Sequence, residues 1–305
     1  MSNTNITVRP IGGLGNQMFC YAAAYALARR RDCNLEIDIG IYDNYKLWPY
    51  GLAAWRIPQQ LAAPKWQHRP VTASLWRKIS RGCLRGLVYR CRRLFSLYAE
   101  RNFLYVERNF HFEEDLISKR PPLILEGYFQ SWRYFHDFEV EIREIFQPAN
   151  PLSSQANDFA RLIKSHPNSV CIHVRRRDYL SAVNQQEHGV LGKAYFLKAA
   201  QIMRGLLPQA QFFFFSDDPD WVEEELLGDL PGELYRSENN YPWEEIFLMS
   251  QCQHNIIANS SFSWWEAYLN VNPKKVVIAP RQWFPPHFMR QRNCCDLLPP
   301  DWITI

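Results

Sequence analysis

The stretch Val170-Cys171-Ile172-His173-Val174-Arg175-Arg176-Arg177-Asp178-Tyr179 packs reactive side chains against an apolar run. The apolar run reads as a buried strand, and three arginines and an aspartate follow where it stops. Guanidinium groups crowded at the edge of a core repel one another and are costly there unless anions neutralise them. Their planar forks match phosphate oxygens, so Arg175 and Arg176 point to an anion site, with Asp178 able to hold one arginine in place. The plainer reading is a solvated loop with one Asp–Arg bridge. Three arginines at one strand end favour the anion site.

Three more blocks combine strand ends with polar groups. Residues 212–215 are four consecutive Phe, followed by Ser216-Asp217-Asp218-Pro219-Asp220. Asp217 and Asp218 can accept hydrogen bonds from the ring and amino N–H groups of a guanine. Ser or Asp before Pro also caps helices, and one of these residues is expected to be such a cap. Asp218 and Asp220 further form an Asp-x-Asp pattern of the kind that holds manganese. Asn259-Ser260-Ser261 follows an apolar run and precedes a helix. Hydroxyls and N–H groups there suit a pyrophosphate or an N-cap equally. Gly12-Gly13-Leu14-Gly15-Asn16-Gln17 is a tight turn opening a helix, with Asn16 as the expected N-cap. It lacks the GxGxxG spacing, so a dinucleotide fingerprint is not supported.

The elements that must position these blocks follow from periodicity. Strands are expected over 6–11, 35–39, 123–126, 170–174, 211–215, 254–258 and 275–278. Helices are expected over 16–30, 132–146, 158–164, 194–206, 221–227, 243–250 and 263–269. Short apolar strands separated by helices imply an α/β fold with parallel sheets buried on both faces. Ligands in such sheets bind beyond the carboxyl ends of the strands, where every block above falls. Gln147-Pro148-Ala149-Asn150-Pro151 is the best linker, dividing the chain into domains of 1–150 and 151–305.

Composition narrows the class. The 305 residues are 47% hydrophobic, 22% charged and 15% aromatic, which fits a globular chain and argues against wholesale disorder. Eight cysteines show no CxxC or zinc-finger spacing, and no run of 18 apolar residues or secretory leader is evident. The expectation is a cytoplasmic protein with free thiols. The formal charge of +4 hides a basic segment, 69–108, with ten Lys/Arg against two Glu. Apolar residues at roughly helical spacing run through it. It fits a solvated basic face slightly better than peripheral contact with the inner face of a membrane, because Gly82 and Gly86 weaken a continuous helix. No nucleic-acid motif accompanies it, so nucleic acid is not an expected partner.

Taken together, the four blocks resemble the alpha-1,2-fucosyltransferases of glycosyltransferase family 11. The GGLGNQMF start stands at residues 12–19, HxRRxDY at 173–179, the FSDD-type motif at 215–218 and NSSFSWW at 259–265. The resemblance implies a GT-B-like fold, two Rossmann-like domains facing across a cleft, with GDP-fucose in the C-terminal domain and the acceptor site shaped by the N-terminal one. It implies inverting transfer to the 2-hydroxyl of a galactose-terminated glycan, free or lipid-linked, with no metal or other cofactor. His173 with Asp217 or Asp218 would recognise guanine. Arg175 and Arg176 would bind the diphosphate, Ser260 and Ser261 would add beta-phosphate contacts beside Asn259, and Asn16 and Gln17 would face the donor. Two departures stand out: Arg177 occupies a position that is usually Gly, and Cys20 one that is often Gln. If position 177 needs a positive φ, Arg there is strained by roughly 1–2 kcal/mol. The rival readings are a metal-dependent glycosyltransferase using Asp218 and Asp220, and a GDP-sugar or glycan-binding protein without turnover.

Overall fold

The computed structural model describes residues 5–43, 45, 47–58, 61–62, 103–180, 189–289 and 293–305. The expected basic segment lies outside these as far as residue 102. The chain forms two compact units, one of residues 1–50 and 58–139, the other of 51–57 and 140–305.

The first unit carries β1 (Asn5–Arg9), α1 (Leu14–Arg31), β2 (Asn34–Asp38), β3 (Leu61–Ala62), β4 (Leu104–Val106), α2 (Glu114–Ser118) and β5 (Leu123–Glu126). These strands form one sheet in the order β3-β2-β1-β5-β4, with every pairing parallel. Ile6 and Val8 of the central strand are fully buried. Alanine, which loses no side-chain entropy in a helix, fills α1 and lets it bury most of its length. Arg29, Arg30 and Arg31 close its last turn, where cations complement the helix dipole. Asp32 then ends it in the left-handed conformation, at φ 48°.

The second unit begins at α3 (Glu139–Ile145), whose first residue belongs to the first unit, and continues through α4 (Ser154–Lys164), β6 (Ser169–Val174), α5 (Lys193–Leu206), β7 (Gln211–Ser216), α6 (Pro219–Glu225), β8 (Gly232–Tyr235), α7 (Pro242–Ser250), β9 (His254–Ile256), α8 (Ser261–Leu269), β10 (Val277–Ala279) and β11 (Ile303–Thr304). Its sheet runs β11-β10-β9-β6-β7-β8, again all parallel. The chain starts at β6, builds outward through β7 and β8, then returns to the other side of β6 with β9. This is the strand order of a Rossmann domain, and its switch point lies between β6 and β9. All six residues of β6 are buried. The Phe run of β7 divides by the two-residue period of a strand. Phe212 and Phe214 join the core formed with Val170, Ile172 and Phe196, while Phe213 and Phe215 meet Phe159 at 5.9 and 5.7 Å on the other face.

The expected α/β class with two Rossmann-like domains is what the chain adopts. The divide moves from 150 to within α3, because residues 51–57 return to the second unit. There Trp55 bridges Pro148, and its ring packs 5.9 Å from Phe146. The helix expected over 132–146 is broken into two 3-10 turns, Trp132–Tyr134 and His136–Phe138, before α3, since Phe135 leaves helical geometry at φ −130°. Strands β3, β4, β8 and β11 lie outside the expected set. They are short, and β8 opens with Gly232, where a Cβ would sit 2.5 Å from the Phe212 carbonyl oxygen. Two backbones approach closely there, and no periodicity signals it. Among the described residues no helix is long and apolar enough to cross a membrane.

Candidate functional site

Strands β9, β6 and β7 are neighbours, so their carboxyl ends bring three of the four blocks to one edge of the second unit. Ser216 ties two of these ends together. Its hydroxyl donates to the Val174 carbonyl at 2.9 Å and accepts from the Asp218 N–H at 2.9 Å. Asp217 then organises both arginines. Its Oδ1 accepts the Arg176 backbone N–H at 2.8 Å, and its Oδ2 lies 3.3 Å from Arg175 Nε. Arg176 stacks its guanidinium 4.0 Å over the Trp221 ring, with Nε 3.7 Å from Asp218 Oδ2. That Nε is buried and makes no hydrogen bond among the described residues. Both arginine side chains are mostly covered, at 17% and 15% exposure, yet they reach the strand-end surface. The partly desolvated Arg176 guanidinium, 3.7 Å from its acid, retains donor capacity for an anion.

The other predicted residues find different places. Asp218 is the N-cap residue of α6 by backbone position, without a side-chain cap bond, and Pro219 follows it. Asp220 pairs with Arg236 at 3.0 Å, so Asp218 and Asp220 are engaged by different arginines. Arg177 is exposed in a 3-10 turn, Arg177–Leu180, and is not among the positive-φ residues, so its replacement of Gly carries no strain. Asp178 lies in the same turn, but its side chain falls outside the described residues. His173, 1% exposed, hydrogen-bonds through Nδ1 to Ser263 of α8 and lies 4.0 Å from Glu266. It is a core group beneath the edge. Ser260 caps α8, its hydroxyl accepting the Phe262 N–H at 3.2 Å. Asn259 donates its amide to the Trp283 carbonyl at 3.2 Å, and Ser261 is the first residue of α8. Trp264 and Trp265 are fully buried packing groups, as expected.

The fourth block belongs to the first unit. Gly12 turns the chain at φ +78°, where a Cβ would sit 2.6 Å from the Asn16 amide nitrogen. The N-cap of α1 is Gly13, not Asn16. Asn16, one turn further in, accepts a hydrogen bond from Gln130 at 2.8 Å. Gln17 is fully buried and donates to the carbonyls of Gly12 and Pro49, both at 2.9 Å. Its amide clamps a loop rather than facing open space. Cys20 is likewise buried, with its thiol on the Gly127 carbonyl at 3.1 Å.

One residue of the second-unit edge escaped sequence reasoning. Glu245, in the first turn of α7, lies close enough to Arg175 and Asp217 for their charges to act on its carboxyl. Burial pushes its carboxyl up to about 7, Arg175 opposes the shift, and Asp217 and Glu244 add to it. No hydrogen bond from the described residues reaches this carboxyl. Its neighbour Glu244 is tied down, accepting the Ser153 N–H at 2.5 Å and hydroxyl at 2.9 Å. Two acids at a helix start satisfy the dipole, and that ordinary role masked Glu245 in the sequence.

Comparison with known proteins decides the lineage. The model for "Glycosyl transferase family 11" matches residues 107–305. The chain belongs to this glycosyltransferase family. An Escherichia coli alpha-1,2-colitosyltransferase is 30% identical over 98% of both chains. A galactoside alpha-(1,2)-fucosyltransferase 1 of Aotus azarae is 30% identical over 49% of this chain and 43% of its own length. Among solved structures, an Arabidopsis thaliana FUT1 mutant in complex with GDP shares the fold at TM-score 0.51 and 14% identity, covering 93% of this chain and 72% of that one. The family match spans the whole strand-end cluster of the second unit.

Proposed function

We propose that this family 11 glycosyltransferase moves L-fucose from GDP-beta-L-fucose to the 2-hydroxyl of a terminal galactoside, with inversion and without a metal. The observation that carries the reading is the Asp217-organised pair Arg175 and Arg176 at the carboxyl ends of the neighbouring strands β6 and β7. As the fucosyl–phosphate bond breaks, negative charge grows on the diphosphate. Preorganised guanidinium donors stabilise that charge more in the transition state than in the ground state. Arg176, braced on Trp221, and Arg175, braced on Asp217, supply them. The α8 start, with Ser260 and Ser261, adds N–H dipoles aimed along the same edge. Asp217 is engaged by both arginines and Asp218 faces Arg176, which leaves the Glu245 carboxyl, without a hydrogen bond from the described residues, as the acceptor for guanine. Its ionised carboxylate suits the paired ring and amino N–H donors of the base. The galactoside hydroxyl attacks opposite the leaving group, which turns a beta-linked donor into an alpha-linked product.

A second reading comes from the alpha-1,2-colitosyltransferase relative: transfer of colitose in place of fucose. GDP release with each GDP-sugar against a panel of galactosides, with linkage analysis of the product, tests both. Arg175→Ala is expected to lower kcat about 100-fold while leaving the acceptor KM within about threefold. Wild-type turnover in that variant would remove the account.

A further inference from the structure

The first unit presents an aromatic side chain whose exposure the fold does not explain. Among the described tryptophans most are buried or half-buried, and Trp48, at 38%, is the exposed one. It is also held firmly. Gln17, itself fully buried, reaches from α1 to the Pro49 carbonyl and fixes the backbone beside Trp48. The indole lies against the glycine turn, 3.7 Å from where a Cβ on Gly13 would sit. In the same loop Tyr42 packs on Tyr45 and Tyr50 at 5.9 and 5.6 Å. An exposed aromatic ring on a clamped loop is a prepared surface, since its ordering cost is met before any ligand arrives.

Its location gives the ligand class. The turn follows the carboxyl end of β1, the edge at which parallel α/β sheets bind small molecules. The charges at this edge, Arg9 with Asp38 and Glu126, pair with one another, and the loop that carries Trp48 offers aromatic faces. Such a surface fits a neutral pyranose. In a galactoside the axial 4-hydroxyl leaves three ring C–H bonds on one face. Those polarised hydrogens stack on the electron-rich face of an indole. We propose that Trp48 is the stacking platform for the terminal galactose of the acceptor. This rests on the acceptor class of the proposed function and names the residue that selects it.

Two measurements separate this inference from the reading beneath it: GDP release from GDP-fucose with a β-galactoside, and calorimetric titration of that galactoside into the GDP complex. Trp48→Ala is expected to raise the galactoside KM about tenfold, with kcat and GDP affinity within about twofold and an unchanged melting temperature. Trp48→Phe, which keeps a smaller ring, should recover part of the loss. A wild-type enzyme that turns over while both variants keep its galactoside KM overturns the platform and leaves the transferase reading intact. So does a GDP affinity that weakens as much as the galactoside KM rises. A wild-type protein that releases no GDP with any galactoside removes the transferase reading. The titration then still decides: galactoside binding weakened by Trp48→Ala supports the platform, and equal binding or none overturns it.

Discussion

The two sheets end in arginines of opposite character. At the carboxyl edge of the first, Arg9 leaves β1 between Asp38 of β2, at 2.9 Å, and Glu126 of β5. One cation answers two acids from the strands on either side, and the pairing raises the Arg9 pKa against the opposing effect of burial. At the second edge two cations share Asp217 and Asp218 at 3.3 and 3.7 Å, and the buried Arg176 Nε makes no hydrogen bond among the described residues. The first arrangement locks three strands. The second holds its cations at longer range from their acids. Arginine at a strand end is therefore not a functional signal by itself; the ratio of cations to acids around it decides.

Replacing each arginine breaks this contrast most severely. Arg176→Ala is expected to cut kcat about 100–1000-fold and weaken GDP binding, with little change in urea midpoint. Arg9→Ala should do the reverse. It leaves Asp38 and Glu126 facing each other and costs about 2 kcal/mol of stability, with kcat of the folded fraction near wild type. Equal losses of turnover in both variants would erase the distinction.

A smaller effect sharpens it through pH. The Glu245 carboxyl is raised from 4.5 to about 7 by burial, so between those values the folded chain holds a proton that the unfolded chain has lost. Stability attributable to this group therefore falls as pH rises through that window. Glu245→Gln removes the burden, and the variant should melt about 3 °C higher at pH 8 and nearly level with wild type at pH 5. Its GDP affinity should be about tenfold weaker at pH 8, because the neutral amide presents a donor where guanine needs a second acceptor. The wild-type affinity should also weaken below pH 7 as the carboxyl takes up its proton. A GDP affinity that ignores both the substitution and the pH would remove Glu245 from the site.

How much of this was legible in the sequence varies with the physics involved. Strands β6, β7 and β10 announce themselves because a doubly covered parallel strand is mostly apolar, as 170–172 and 212–215 are, and β9 is marked by the apolar residues 256–258 at its end. The placement of Arg175, Arg176, Asp217 and Ser260 at strand ends followed from the same runs. The roles of His173, Asn16 and Gln17 did not. A side chain beside a motif can point to ligand or to core, and the contacts that bury His173 and Gln17 and hold the half-buried Asn16 come from Ser263, Pro49 and Gln130, far away in the chain. Glu245 was hidden for the same reason: its proximity to Arg175 depends on α7 packing beside β6, some 70 residues after that strand.

The smallest expected effect is the absence of one, and it bears on which acids at the second edge are available. A metal-dependent transferase would need the carboxylates of Asp218 and Asp220 to converge on one cation, with oxygens about 2.0–2.6 Å from it. Instead Asp218 turns to Arg176, while Asp220 turns outward to Arg236, which also meets Glu223 at 2.9 Å. Each acid has a guanidinium neighbour, and recruiting both to a cation would separate two ion pairs. If Arg175 and Arg176 neutralise the diphosphate themselves, initial rates of GDP release should be unchanged after dialysis against EDTA, and added manganese should not raise them by more than about twofold. Asp220→Asn should also leave the rate near wild type, since its partner Arg236 lies exposed on the surface. Chelator-sensitive turnover restored by manganese, and lost again in Asp220→Asn, would instead mean that the acids reorganise around a cation and that the two arginines play the supporting part.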